Sequence, residues 1–369
     1  MSDVLDRAGP HSVNPAVASA TTTSDAEVQK RYFERVQAEG RLAVREPVCL
    51  YLEVTNRCNL LCETCPRTFE ELEPPADMSW DLFVKIVDQV PNIERVVLHG
   101  VGEPMLVKDL PRMVAYLKAR GAHVLFNTNG TLLNPRNGKA LADAGLDELR
   151  VSLDAADQAG FLAVRGKDYF HRIVRNVRAF IAAQKAGNWA KPRVSLWLTG
   201  MRETIDQLPA FVALAHDIGV SEVHLQRLVF LPDGQGLARQ EQALFESVLE
   251  DESRPIAEAT RLAAELGVLL DASGATEPGS SLKKQADDKP WALCRRPWSL
   301  MYFTAHGRAI PCCIAPFSMR GYDDFTLGNA SQESLREIWN GPRYQDFRAA
   351  LLSDSPPPAC ANCGLRWSL

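Results

Sequence analysis

Nine cysteines are spread unevenly along the 369 residues: Cys58, Cys62 and Cys65 share one short stretch, Cys294, Cys312, Cys313, Cys360 and Cys363 lie towards the C-terminus, and Cys49 stands alone. A reducing compartment disfavours structural disulfides, so clustered thiols read as metal ligands or catalysts. The first set lies in Thr55-Asn56-Arg57-Cys58-Asn59-Leu60-Leu61-Cys62-Glu63-Thr64-Cys65. This loop directly follows an apolar strand, at the C-terminal edge of a sheet, where α/β proteins bind ligands. Three thiolates on one loop can each bind one iron of a cubane, and no fourth cysteine nearby closes the site, so one iron stays open. Structural zinc wants four ligands at a different spacing.

In the second set, Cys294 is followed by 12 residues, Gly307, four residues and Cys312, with Cys360-x2-Cys363 a further 47 residues on. The intervening SLMYFTAHGRAIPCC reads as a β-hairpin turning at His306-Gly307 that brings Cys312 beside Cys294, with Cys313 an adjacent alternative. Four thiolates then converge, and spacing alone does not separate a four-cysteine zinc site from an iron-sulfur cluster.

Other polar residues stand at successive strand ends. Gly100-Val101-Gly102-Glu103-Pro104 follows the second strand, where glycines let the backbone approach a ligand and expose its carbonyls. Thr128 and Asn129 end the third strand, and Ser152 and Asp154 the fourth; their donors and acceptors suit ribose hydroxyls, the plainer alternative being turn formation. His99, Trp197, His224, Gln226 and Arg227 lie where they can face substrate, but His99 reads as a satisfied core histidine, and no catalytic base is named from this group.

The elements that must position these residues alternate regularly. Strands are expected at 48–54, 95–99, 123–126, 148–153, 193–198 and 222–231. Amphipathic helices separate them, such as 80–90 with Ser79 as N-cap. Gly121, Gly145, Gly187 and Gly219 close helices before the next strand. Six β-then-α units make a parallel sheet, doubly wound or curled into a partial barrel. A helix at 240–266 leads to a short strand at 268–270. The expected division is a disordered leader at 1–24, an N-terminal helix at 25–45, the sheet domain at 46–272, a linker at 273–290 and a small metal-stabilised module at 291–369. With 41 Lys and Arg against 46 Asp and Glu, and no basic block, nucleic acid and anionic membranes are poor partners. No apolar run spans a bilayer and no signal peptide is evident, so a cytoplasmic location is expected.

The motif Cys58-x3-Cys62-x2-Cys65 after the first strand of repeated βα units resembles the radical S-adenosylmethionine (SAM) superfamily. The resemblance implies an α/β fold, a partial (β/α)6 barrel, and a [4Fe-4S] cluster whose open iron chelates SAM. Reductive cleavage of SAM then yields a 5'-deoxyadenosyl radical that abstracts hydrogen from substrate. It further implies SAM contacts from Gly100, Gly102, Glu103 and Pro104, ribose contacts from Thr128, Asn129, Ser152 and Asp154, and a carboxylate contact from Arg165. Thr64 departs from the aromatic residue that often precedes the third cysteine. The C-terminal pattern, with Leu327-Gly328-Asn329 and the stretch Leu335 to Asn340, is similar to the SPASM/twitch extension. That likeness implies an auxiliary [4Fe-4S] cluster on Cys294, Cys312, Cys360 and Cys363, in a layout resembling the butirosin-pathway aminocyclitol dehydrogenase. Two [4Fe-4S] clusters and SAM are thus the expected cofactors, with flavodoxin or ferredoxin as electron donor. A four-cysteine cluster suits electron transfer, so dehydrogenation of an alcohol on a sugar, aminocyclitol or other small molecule is the leading expectation. Maturation of a ribosomal peptide, a redox-neutral epimerisation and a non-catalytic scaffold are the alternatives; the short leader and single auxiliary cluster weigh against the peptide.

Overall fold

The computed structural model describes residues 40–228, 242, 244, 250–273, 278–281, 289, 291 and 294–361. The expected leader, most of the N-terminal helix and of the linker, and Cys363 lie outside these residues. Ten strands form one sheet in the order β10-β9-β8-β1-β2-β3-β4-β5-β6-β7. Strands β1 (Cys49–Leu52), β2 (Arg95–Val97), β3 (His123–Thr128), β4 (Glu148–Ser152), β5 (Arg193–Gly200), β6 (Glu222–Arg227) and β7 (Leu269–Ala272) are all parallel. They form the partial barrel of an α/β protein, and β7 adds a seventh parallel strand to the six expected units.

Alternation along each strand divides the residues into two environments. One face, including Leu50, Leu52, Val96, Val124, Phe126, Val151, Leu196 and Leu225, joins the main core with helical side chains such as Phe83, Leu117, Phe161, Phe180 and Phe211. The other face carries Cys49, Tyr51, Val97 and Leu125 into a second core. Further round the barrel that face turns polar, and Glu148, Arg150, Arg193, Ser195, Trp197, His224 and Asp271 line a narrow cavity. The ring of Trp197 stacks on His224 at 3.9 Å, and Arg150 lies 4.8 Å from the Trp197 ring.

Ser79 caps the helix Trp80–Val87 by accepting from Leu82 N at 3.2 Å, and this helix ends three residues earlier than its apolar pattern implies. Gly121, Gly145 and Gly219 take the left-handed conformation expected of them. Gly187 does not: its φ is −86°, and Asn188, at φ 51°, makes the reversal instead. Gly187 still ends the helix Phe170–Ala186 as its C-cap, and asparagine tolerates the left-handed region better than most residues.

The C-terminal module holds the expected hairpin, β8 (Leu300–Phe303) against β9 (Arg308–Ile310), followed by β10 (Gly328–Asn329). Its turn is closed by Gly307 at φ 84°. The helix Leu335–Trp339 is fixed by a capping box between Ser334 and Glu337. The module is joined to the barrel through backbone pairing, because β8 runs parallel to β1 with Tyr51 opposite Tyr302. Among the described residues, no helix is long and apolar enough to cross a membrane.

Candidate functional site

Beyond the last residue of β1 the chain turns sharply and is tied down by its own polar groups. Thr55 Oγ1 donates to Ala76 O at 3.0 Å, Asn56 exchanges bonds with Pro74 O and Ala76 N, and Arg57 forms a two-pronged pair with Asp77 at 2.9 and 2.5 Å. The cysteine loop follows, with Leu60 fully buried as its apolar anchor. Three cations grip it. Lys167 donates to Asn59 O at 2.8 Å, Arg67 to Leu60 O, and Arg165 to the Cys62 sulfur at 3.5 Å. Asn129 Nδ2 reaches Asn59 Oδ1 at 2.7 Å and lies 3.8 Å from the Cys58 sulfur.

Gly166 lets a neighbouring loop press on this one: its φ is 71°, and a Cβ there would lie 2.3 Å from Leu61 O. Burial pushes the Cys65 thiol up to about 12 and also raises Cys58, so both are neutral until a metal binds. No group of three His, Cys, Asp or Glu is gathered for a single metal ion among the described residues. Three separately presented thiols with N–H groups aimed at their sulfurs suit three irons of a cubane. On residues that follow or brace the loop, Arg67 Nε, Thr68 Oγ1 and Arg165 Nε are buried without a hydrogen-bond partner among the described residues.

The glycine-rich segment serves the protein's own packing. A Cβ on Gly100 would fall 2.2 Å from Glu53 Oε2 and 2.5 Å from the Tyr302 hydroxyl, and one on Gly102 would fall 2.1 Å from Thr55 O. Glu103 is buried and accepts from Thr128 Oγ1 at 2.7 Å, Asn129 N at 2.6 Å and Met105 N at 3.0 Å. Burial raises its pKa. Pro104 opens a short 3-10 helix. Residues expected to contact cofactor independently are thus wired together: Glu103, Thr128 and Asn129 form one network that ends on the cysteine loop.

Asp154, at φ 60°, accepts from Thr199 N at 2.7 Å and pairs with Arg165, so the expected ribose and carboxylate contacts hold each other. Ser152 stays half-buried at the end of β4, opposite Trp197. His99 is bonded to Asn127 at 3.0 Å, and burial holds its pKa down at about 3, in keeping with a core histidine.

Glu53 escaped the sequence reading. It is fully buried at the end of β1 and accepts from Val101 N at 2.9 Å, the Tyr302 hydroxyl at 3.1 Å and Ala305 N at 3.2 Å. One carboxylate therefore ties the glycine segment to the C-terminal hairpin. The only local signal was an acid within an otherwise apolar strand.

In the C-terminal module, Cys294, Cys312 and Cys360 are partly buried. Burial opposes the charge on Arg296, yet Cys313, Cys312, Tyr51 and Cys294 around it hold its pKa well above the usual value. The guanidinium donates to the Cys313 sulfur at 3.4 Å.

Comparison with known proteins matches residues 52–215 to the Radical SAM superfamily and residues 294–364 to an iron-sulfur cluster-binding domain, SPASM. The chain is 27% identical over 335 residues to the cofactor-modifying protein of tungsten-containing aldehyde ferredoxin oxidoreductase from Pyrococcus furiosus, covering 86% of this chain and 87% of the relative. It is 26% identical over 322 residues to the PqqA peptide cyclase of Gluconobacter oxydans, covering 86% and 82%. Among solved structures, Streptococcus suis SuiB bound to precursor peptide SuiA superposes with a TM-score of 0.65 at 14% identity, covering 87% of this chain and 70% of that one.

Proposed function

This chain belongs to the radical SAM superfamily and carries a C-terminal SPASM domain, and from that premise we propose that it modifies a ribosomally made peptide. It is a radical SAM oxidoreductase with an auxiliary iron-sulfur domain. The carrying observation is that similarity to PqqA peptide cyclases, from Gluconobacter oxydans and Streptomyces rochei, extends over 86% of the chain. The alcohol dehydrogenation favoured by the cysteine layout has weaker support. A second reading, modification of a small cofactor, is favoured by the similarity to the Pyrococcus protein.

Cys58, Cys62 and Cys65 would hold the first cluster, and Cys294, Cys312, Cys360 and Cys363 the auxiliary one. Cys312 is preferred to the adjacent Cys313 because its spacing from Gly307 fits the SPASM pattern. When bound, the clusters and SAM supply the 5'-deoxyadenosyl radical and an acceptor for the second substrate electron. The protein's part is placement. Lys167, Arg67 and Arg165 brace the cysteine loop, offset the negative charge of bound thiolates and fix its distance from the glycine segment. Glu103 locks Thr128 and Asn129 so that the strand ends hold one geometry. Arg165, paired with Asp154 and bonded to the Cys62 sulfur, keeps its buried Nε–H without a partner among the described residues. Flavodoxin or ferredoxin would supply the reducing electron.

Removal of one hydrogen atom, then one electron and one proton, lets a peptide close a new bond and end two hydrogens lighter. Anaerobically reconstituted protein with a panel of ribosomal precursor peptides, read by mass spectrometry, is expected to yield that loss. A ketone formed from an alcohol, with every peptide returned unchanged, would overturn the reading.

A further inference from the structure

The segment that follows Cys65 is clamped by the C-terminal module. Glu70 accepts from Gly321 N at 3.2 Å, Arg308 Nε donates to Glu73 Oε1 at 3.2 Å, and His306 bonds Pro74 O at 2.8 Å. In this seam lies Tyr322, 3% exposed, its ring packed edge-on against Phe325 at 5.7 Å and the Arg308 guanidinium 5.9 Å away. Two atoms here have no hydrogen-bond partner among the described residues: the Tyr322 hydroxyl, a donor, and Glu73 Oε2, an acceptor. Burial raises the pKa of the phenol, which therefore stays a neutral hydroxyl able to donate. A buried donor and acceptor left without partners carry an energetic penalty that a purely structural role does not explain, since phenylalanine would fill the same space without it. Both flank the single guanidinium of Arg308, so they face the same seam between barrel and module.

We propose that Tyr322 and Glu73 form a substrate subsite, in which the hydroxyl donates to a carbonyl and Glu73 Oε2 accepts from an N–H of the same ligand. An extended peptide presents that pair together, because the N–H and C=O of one residue point to the same side. The assignment of the ligand as a peptide rests on the function proposed above; the subsite itself does not.

The test compares full-length, reconstituted wild type with Tyr322→Phe and Glu73→Gln. Loss of the hydroxyl is expected to raise the melting temperature by about 2 °C or more, to leave SAM affinity unchanged and to weaken peptide binding roughly five- to tenfold. Glu73→Gln, which puts a donor where the acceptor was, is expected to weaken peptide binding as well. A melting temperature unchanged or lowered in Tyr322→Phe would show the hydroxyl already satisfied and overturn the proposal. So would unaltered peptide affinity, or a loss of SAM affinity.

A second measurement separates the subsite from the peptide reading. N-acetylglycine N-methylamide, a blocked residue that presents its N–H and C=O on one side when extended, is titrated into protein labelled at tyrosine rings and followed by NMR, the Tyr322 signal being the one missing in Tyr322→Phe. The signal is expected to move; a signal that stays still overturns the subsite whatever the substrate is. Movement, combined with no binding of any precursor peptide, would refute the peptide reading alone.

Discussion

Gly102→Ala is the sharpest perturbation of the cofactor site, because the obstruction is backbone. The new Cβ would stand 2.1 Å from Thr55 O, 2.7 Å from Thr55 C and 2.8 Å from Arg57 O. Ordinary contacts are about 3.5 Å, so the glycine segment and the cysteine loop must separate by about 1 Å. No rotamer change relieves this, and the bond from Glu103 N to Arg57 O, now 2.8 Å, is stretched with it. Overpacking costs about 1–3 kcal/mol and a weakened buried hydrogen bond about 1 more. The total of about 2–4 kcal/mol would lower the melting temperature by roughly 3–5 °C in a chain of this size. Gly121→Ala is the control: its φ of 79° strains a side chain, but nothing lies within 4 Å, so about 1 kcal/mol is lost and the cysteine loop is untouched. Melting curves and iron per chain after anaerobic reconstitution read both effects. Gly102→Ala should lose iron at the first cluster as well as stability, whereas Gly121→Ala keeps its iron. Normal melting and iron in Gly102→Ala would refute the reasoning.

Glu53 has its pKa raised by burial from 4.5 to about 7, so the folded protein binds the extra proton between those values and loses stability as pH rises through them, by up to about 3 kcal/mol. Denaturant midpoints from pH 5 to 8 should fall in wild type and stay flatter in Glu53→Gln. His99, held at about 3 by burial and next by Arg150, stays neutral while the unfolded chain protonates below about 6.5. Its stability contribution is lost as pH falls through that window, and its ring resonances should not titrate above pH 4. Arg165→Lys loses the planar contacts to both Asp154 and Cys62, and SAM affinity measured by equilibrium dialysis should drop about tenfold. Cys294→Ala should halve the iron, from about eight to about four per chain, while substrate-independent cleavage of SAM persists.

The sequence disclosed what is encoded locally. Apolar strands followed by amphipathic helices, Ser79 as a cap and the turn at Gly307 each need only a few consecutive residues. The cysteine loop was equally legible, since spacing and the preceding strand sit side by side. Pairing of β8 with β1 was not, because its register joins Cys49 to Leu300 across some 250 residues with no local signal. For the same reason Glu53 could not be joined to Tyr302, or Glu73 to Arg308. At Gly100 and Gly102 a missing Cβ shows that something approaches without saying what, and the structure adds that Glu53, Tyr302 and Thr55 lie where a Cβ would be. Gly187 closes its helix as read, while the left-handed residue is its neighbour Asn188, which the sequence did not single out. Arg165 and Asp154 were each assigned to cofactor, and their mutual pairing emerges only when the loop after β4 folds back onto the cysteine loop.

The central claim, that this enzyme draws a hydrogen atom from a peptide, is tested most directly by isotope transfer. Precursor peptides deuterated at their carbon positions are incubated with reconstituted enzyme, SAM and a reductant, and the 5'-deoxyadenosine is weighed by mass spectrometry. Deuterium is expected in that product together with a peptide lighter by two hydrogens. Deuterium arriving from a labelled small-molecule alcohol, and from no peptide, would contradict it.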